Sequence, residues 1–386
     1  MKKILFVGGG SGGHILPLIS VATVLKSKKP DWKMNALCEK SGVLSDILEK
    51  SDVFNGKTYK IFAGKFRRYH GEGWRQILDL KTMFFNLRDA IYTLLGLVQS
   101  FFYLLFNRPD FIFLKGGFVS VPIGLCAALL RIPYSTHDSD ILPGLANRIV
   151  SRWAKMHFVG MPAELYNYPQ NKTFFVGVPL QQEYIDSSIE KFAEYRSDFA
   201  IEKDEMVLFI TGGGLGAQRL NNDVVSVSKN LLKKVKTLKI YHQSGRGNEQ
   251  KLSSEYDNFL PKDLRGRVFV TDGFISDMWR YYGASDVVLT RAGATNMAEC
   301  AALSKPTVVV PNPYLTGGHQ LHNADKLKSL GAIKVVHEGQ VRELEDMLVE
   351  MLTNRAVRID MSKNISEIAV KNSAEAVANK LIEAVI

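Results

Sequence analysis

The chain has 386 residues, of which 46% are hydrophobic and 23% charged, with a formal net charge of +10 and three cysteines. This length predicts two or three domains with ample core, and this composition excludes a disordered chain. Cys38, Cys126 and Cys300 lie far apart with no C-x-x-C pair, which excludes a disulfide framework or zinc module and fits a reducing cytoplasm. Met1, Lys2 and Lys3 lead straight into an apolar run, so no signal peptide is expected.

The first predicted element is a buried strand, Ile4–Val7, followed at once by Gly8-Gly9-Gly10-Ser11-Gly12-Gly13-His14. A diphosphate has to be approached closely by backbone amides, and glycine removes the Cβ that would keep it away. The next helix carries Leu16, Leu18, Ile19, Ala22 and Leu25 on one face and aims its positive end at the loop. Strand, glycine loop and helix together read as a phosphate cradle; the bland alternative is a tight turn without a ligand.

Strands at Met34–Cys38, Phe111–Leu114, Tyr134–Thr136, Met156–Val159 and Thr173–Val176 continue a doubly wound, mostly parallel sheet. Between them, Lys57, Lys60, Lys65, Arg67, Arg68, Arg75, Lys81 and Arg88 alternate with Phe62, Phe66, Tyr69, Trp74, Phe84 and Phe85, an interfacial pattern. Residues Ala90 to Asn107 then carry no charge. A transmembrane span is rejected, because polar residues interrupt the run and a strand follows directly. Two readings stay open and are compatible on different faces: a helix buried in the first domain, or one docked in the cytoplasmic leaflet.

Residues 179–204 turn polar and read as an interdomain connection with a helix near Ile189–Ser197. A second domain over 205–363 then opens with Met206–Thr211 and Gly212-Gly213-Gly214-Leu215-Gly216-Ala217. Strands follow at Leu238–His242, Val268–Thr271, Val287–Thr290, Thr307–Val310 and Ala332–Val335. The last stretch, 364–386, includes an amphipathic helix from about Ser373 to Val385, expected to pack back on the first domain, 1–178. The fold class is α/β of the GT-B type, two Rossmann-like doubly wound domains facing a cleft. A dinucleotide oxidoreductase is disfavoured, since Glu39 lies 26 residues after Gly13 and the second half ends its strand in His242-Gln243-Ser244-Gly245 with no acid.

In Arg291-Ala292-Gly293-Ala294-Thr295-Asn296-Met297-Ala298-Glu299 a strand passes through a glycine turn into a helix start. Small residues there let a diphosphate reach the amides, and Glu299, one turn in, is placed to accept ribose hydroxyls; a plain interaction with the helix dipole is the alternative. His14 is the candidate general base at the first loop, against a purely structural or acceptor-contacting role.

These segments, with Lys115-Gly116-Gly117-Phe118-Val119-Ser120 and His319-Gln320 followed by Asn323-Ala324, occur in an order that closely resembles the MurG family of glycosyltransferase family 28. The resemblance covers nearly the whole chain. It implies an inverting enzyme that moves GlcNAc from UDP-GlcNAc to a polyprenyl-diphosphate-linked MurNAc-peptide, lipid I, making lipid II for peptidoglycan. It implies an acceptor-binding first domain, a donor-binding second domain, and peripheral attachment to the anionic cytoplasmic face of the cell membrane. Ser11, Gly12, Gly13, Gly214, Ile275, Ala294, Thr295, Asn296, Met297, Ala298, Glu299 and Gln320 match binding positions. No cofactor is required on this reading, and metal dependence stays open. Nucleic acid is not an expected partner.

Three positions depart from the family pattern. A neutral Asn is replaced by Asp140 in His137-Asp138-Ser139-Asp140, where it is a second candidate base or metal partner. An Arg is replaced by Gln181, and Gly214-Leu215 stands where Ser and a polar residue are usual. Asp138-Ser139-Asp140 also mimics a metal-binding D-x-D, read here as coincidence. Alternatives are another GT-B lipid glycosyltransferase, a UDP-GlcNAc epimerase, or a non-catalytic membrane-surface protein.

Overall fold

The structure is a computed structural model that describes residues 1–40, 45–54, 58–66, 80–271, 273 and 275–386. Lys57, Arg67, Arg68, Tyr69, Trp74 and Arg75 lie outside the described residues. The chain divides into two compact units: Met1–Gln181 with Tyr314–His319 and Val370–Ile386, and Gln182–Pro313 with Gln320–Ala369.

The first unit is built on seven parallel strands: β1 (Lys3–Gly8), β2 (Lys33–Glu39), β3 (Thr58–Ile61), β4 (Phe111–Gly116), β5 (Tyr134–Asp138), β6 (Met156–Val159) and β7 (Thr173–Phe175), in the order β3-β2-β1-β4-β5-β6-β7. The central strands are apolar because both faces are covered. Helices α1 (Gly12–Lys28), α2 (Leu80–Asn107) and α3 (Ser120–Leu129) supply part of that cover. Strand β3 is absent from the sequence expectation. It is a short edge strand in which only Ile61 is fully buried, so it lacks the apolar run that marks its neighbours.

Helix α2 begins ten residues before the uncharged run and has two faces of unusual character. Leu104 joins the core, with Leu97, Phe101 and Tyr103 packed against it, and the Gln99 Oε1 accepts a hydrogen bond from the Phe62 amide at 2.8 Å. Asp89, buried, takes both Nε and Nη2 of Arg88 at 2.9 and 2.8 Å. The opposite face exposes Phe84, Leu87, Ile91, Leu94, Val98, Phe102, Leu105 and Phe106 at helical spacing. Thr82–Asn107 is long and apolar enough to cross a membrane, with mean hydropathy 1.5, and 22% of its most apolar window is buried.

The second unit carries six parallel strands: β8 (Met206–Thr211), β9 (Leu238–Gln243), β10 (Val268–Thr271), β11 (Val287–Thr290), β12 (Thr307–Val309) and β13 (Lys334–Val335), in the order β10-β9-β8-β11-β12-β13. Helices α4 (Gln218–Lys234), α5 (Ala294–Ala302) and α6 (His319–Ser329) follow their strands or loops in chain order. The final helix, α7 (Ser373–Val385), returns to the first unit and packs on α1, where Lys28 and Glu375 pair at 2.6 Å.

In each sheet the strand order runs outward in both directions from one pair, β1 and β4 in the first unit and β8 and β11 in the second. Ligands of open α/β sheets bind beyond the carboxyl ends of such a pair, where the two following loops diverge. All four glycine-bearing segments named above lie at those positions.

Candidate active site

In the first unit the loop after β1 is closed by its own chain. The Gly10 amide donates to Glu39 Oε1 at 2.8 Å, so the acid at the end of β2 fastens the loop. Ser11 is the N-cap residue of α1, which leaves the Gly12 and Gly13 amides at the first turn. Gly117 closes the loop from the other side: its φ is +79°, and a Cβ there would lie 2.6 Å from the Gly9 carbonyl oxygen. No L side chain fits.

His14 Nδ1 lies 2.7 Å from the Gly9 carbonyl oxygen and 3.3 Å from Ser11 Oγ. A carbonyl only accepts, so the proton sits on Nδ1 and the Nε2 lone pair is available. Burial and the Lys115 ammonium pull His14 down to about 4, against the opposing Gly9 carbonyl and Asp140. The imidazole is therefore neutral at physiological pH.

Asp140 lies close enough to His14 to act on it electrostatically, and its carbonyl accepts a hydrogen bond from the Tyr166 hydroxyl at 2.8 Å. Asp138 is used differently. Its Oδ1 accepts the Gly144 amide at 2.9 Å and its Oδ2 the Tyr168 hydroxyl at 2.9 Å, and burial holds its pKa above the usual carboxylate value. Both oxygens of the first acid in the D-x-D sequence thus serve the fold. Among the described residues no group of three or more His, Cys, Asp or Glu converges as a metal site. Gln181 is the last residue of the first unit's main segment and is partly buried.

In the second unit the turn after β11 is open. Gly293 is the N-cap residue of α5 and no side chain caps the helix, so the amides of Ala294, Thr295 and Asn296 have no helical acceptor. Among the described residues a Cβ on Gly293 or on Gly213 would meet nothing within 4 Å, whereas one on Gly216 would lie 2.7 Å from the Ser244 carbonyl oxygen. Gly214 sits in the adjoining loop, its carbonyl accepting the Arg246 amide at 3.1 Å. Asn296 is anchored through Nδ2 on Thr290 Oγ1 at 2.8 Å. Met297 differs from its neighbours: its amide donates to the Gly293 carbonyl at 3.0 Å and its side chain is buried, so it supports the turn from beneath. Ala298 is partly buried one residue on, and Ile275 is buried. Gln320 Oε1 accepts the Asn312 amide at 2.8 Å, and Asn323 Nδ2 donates to the Ala292 carbonyl at 3.0 Å, which ties α6 to the loop after β11.

Glu299 is buried, and burial raises its carboxyl to about 7, opposed by the hydroxyls of Tyr282 and Tyr184. The acid is held near its point of half-ionisation at neutral pH, in a helix whose uncapped N-terminus favours an anion.

Family models match both halves of the chain: the glycosyltransferase family 28 N-terminal domain over residues 4–159 and its C-terminal domain over residues 207–379. The chain belongs to glycosyltransferase family 28. A curated relative from Clostridium kluyveri is 32% identical, with 99% of this chain and 98% of the relative covered, and is named a UDP-N-acetylglucosamine–N-acetylmuramyl-(pentapeptide) pyrophosphoryl-undecaprenol N-acetylglucosamine transferase. A relative of the same name, numbered 2, from Bacillus thuringiensis is 30% identical, covering 98% of this chain and 97% of its own. Among solved structures, Acinetobacter baumannii MurG superposes with a TM-score of 0.70 at 22% identity over 99% of this chain and 100% of that one. The Staphylococcus aureus MnaA–UDP complex does so at 0.70 and 13% over 100% and 98%. At these identities the structures share the fold, two Rossmann-like units of the GT-B class.

Three features of this family 28 chain escaped the sequence. Lys115 appears there only as the first letter of a glycine motif, although a lysine closing an apolar strand is itself a sign of a buried cation. Glu39 enters the sequence argument only as an acid at the wrong spacing for a dinucleotide site, while in the fold it holds the loop. The two tyrosines facing Glu299, Tyr184 and Tyr282, are 98 residues apart, and no local pattern signals them.

Proposed function

We propose that the chain is an inverting glycosyltransferase that moves N-acetylglucosamine from UDP-GlcNAc to the C4 hydroxyl of MurNAc in undecaprenyl-diphosphate-MurNAc-pentapeptide, giving lipid II for peptidoglycan synthesis. The observation that carries the reading is the open α5 N-terminus with Glu299 one turn in, on a chain whose full-length relatives carry that transferase name. The Ala294, Thr295 and Asn296 amides receive the diphosphate, and Glu299 accepts the ribose hydroxyls. Gln320 and the Gly214 loop complete the donor site.

The first unit takes the acceptor. His14 Nε2 removes the proton from the C4 hydroxyl as its oxygen bonds to the anomeric carbon. The bond from that carbon to the diphosphate breaks, and UDP leaves with the electron pair. Negative charge develops on the leaving diphosphate, where fixed amides and the helix dipole stabilise it without a metal. Activity that persists in EDTA would support this last point, and loss restored by Mg²⁺ would overturn it.

The outward face of α2 seats the enzyme on the cytoplasmic face of the membrane as a peripheral protein. Its support is the continuous apolar stripe from Phe84 to Phe106 on a helix fastened by polar contacts on its inner side. The test of the whole reading is UDP release from UDP-GlcNAc with and without a lipid I analogue, with UDP-GalNAc as control donor. Acceptor-dependent, GlcNAc-specific release is expected; donor binding without acceptor-dependent release would overturn it.

A further inference from the structure

Glu338 stands three residues past β13 and holds two arginines at once. Its Oε1 accepts from Arg291 Nη2 at 2.5 Å and its Oε2 from Arg219 Nη1 at 3.0 Å. The Glu338 and Arg291 side chains are 8% and 6% exposed, whereas that of Arg219 is 61% exposed. Each carboxylate oxygen thus serves a different segment of the second unit. Arg291 opens the turn after β11, two residues before Gly293, and its Nη1 also donates to the Val310 carbonyl at 2.9 Å, just past β12. Arg219 lies in the first turn of α4, the helix that follows the loop carrying Gly213 and Gly214. A second contact repeats this connection: the Gly339 amide donates to Asp223 Oδ2 of α4 at 3.4 Å.

In the order β10-β9-β8-β11-β12-β13 the strand before Glu338 is at the edge of the sheet, so the acid reaches past β12 to the segments that follow both members of the central pair. A buried ion pair adds little net stability, because desolvation offsets the attraction, and its best attested use is to select one arrangement of the segments it joins. Here those segments lead into the two loops assigned to the donor.

We infer that Glu338 is a positioning residue for the donor: by holding Arg291 and Arg219 together it fixes the loop after β8 against the turn after β11, so that the Gly214 loop and the α5 amides receive one UDP in common. The inference rests on the proposed function in one respect, UDP bound in the second unit. Glu338 acts through the two arginines and not on the ligand.

The sign of the effect separates this role from plainer ones. A carboxylate near an anion site repels the anion, so a Glu338 that acted only through its charge would, once neutralised, tighten UDP. A Glu338 that served the fold alone would, once neutralised, lower Tm and leave the affinity of the folded protein as it was. Positioning requires a weaker UDP complex.

The experiment is a calorimetric titration of UDP into the full-length protein and its variants, at a temperature where each is fully folded. Glu338→Gln should weaken UDP about tenfold, within the range of couplings measured inside one salt-bridge network. Arg219→Met should weaken it less, and Glu338→Gln with Arg219→Met no more than Glu338→Gln alone, since both changes undo the same tie. Unchanged or tighter UDP binding by Glu338→Gln would overturn the inference, and so would additive losses, which would mean that Arg219 meets the ligand itself. If Glu338→Gln does not fold, Arg291→Met with Glu338→Leu takes its place, because it removes the pair with no change of net charge and leaves no buried charge unpaired. A parent-like UDP affinity in that variant would overturn the inference. Failure of the parent protein to bind UDP would overturn the donor reading first, and this inference with it.

Discussion

The two units share a sheet architecture and place glycine loops at equivalent positions, yet the loop after β1 and the turn after β11 differ in how far their own chain fills them. The loop after β1 is filled by its own chain: Glu39 holds Gly10, His14 holds Gly9, and Gly117 closes over it. At β8 the loop is also held by its own chain, a Cβ on Gly216 lying 2.7 Å from the Ser244 carbonyl oxygen, whereas at β11 a Cβ on Gly293 meets nothing within 4 Å among the described residues and the amides of Ala294, Thr295 and Asn296 have no helical acceptor. The strand order fixes where a ligand goes, while the side chains delivered there fix what can be done with it. On the proposed function, one place handles a proton and the other receives an anion.

The contrast is broken most severely by His14→Ala, which should lower turnover by about 10²–10⁴. UDP affinity, measured by calorimetry on the same variant, should stay within about twofold if the two sites are separable in this way. Equal losses in both would remove the distinction.

Glu299→Ala should weaken UDP by about one to two decades, the equivalent of about 1.5–3 kcal/mol for a charge-assisted hydrogen bond. The pH dependence has a definite sign. An ionised carboxylate is the better acceptor, so UDP affinity in the parent protein should rise as pH increases through about 7. Because folding raises this pKa, the native state binds the proton more tightly than the unfolded chain, and stability falls as pH rises from the unfolded value towards 7. Glu299→Gln should accordingly raise Tm more at about pH 8 than at about pH 5.5 while still weakening UDP. A Tm unchanged at both values would show that the carboxyl is not held as described.

Two glycine substitutions sharpen the comparison of closed and open loops. Gly117→Ala forces a side chain into a left-handed backbone against the Gly9 carbonyl and should cost at least about 1–2 kcal/mol. Gly293→Ala, at φ −70° with nothing within 4 Å, should leave Tm almost unchanged and reduce UDP affinity by narrowing the anion site. Equal Tm losses would mean that the second loop is as closed as the first.

The smallest effect on Tm is expected at α2. Leu94→Glu with Phe102→Glu, both on the exposed face, should abolish sedimentation with anionic vesicles and leave Tm nearly intact. Leu97 and Phe101 are unsuitable for this purpose, since they pack on the core.

Much of this was legible in the chain because the relevant signals are local. Buried parallel strands read as apolar runs, and glycines at strand ends mark the loops, so β1, β4, β8 and β11 and their loops could be placed from sequence. The Gly293 turn and Glu299 were recoverable for the same reason, being one strand, one turn and one helix start in succession. What stayed hidden depends on partners distant in the chain. Strand β3 owes its place to pairing with β2, and Asp138 is held by Gly144 and Tyr168. The division of α2 into an inner and an outer face likewise needed the contacts of Phe62 and the core.

The return of α7 to α1 has a consequence for the order in which the protein is made. The ribosome delivers β1 to β7 first, then the whole second unit, and only then Val370–Ile386, which belongs to the first unit. Until that segment emerges, the face of α1 that α7 covers has no partner, so the unit begun first is completed last. A nascent chain stalled after the second unit would carry one finished half and one half still waiting for its closing helix.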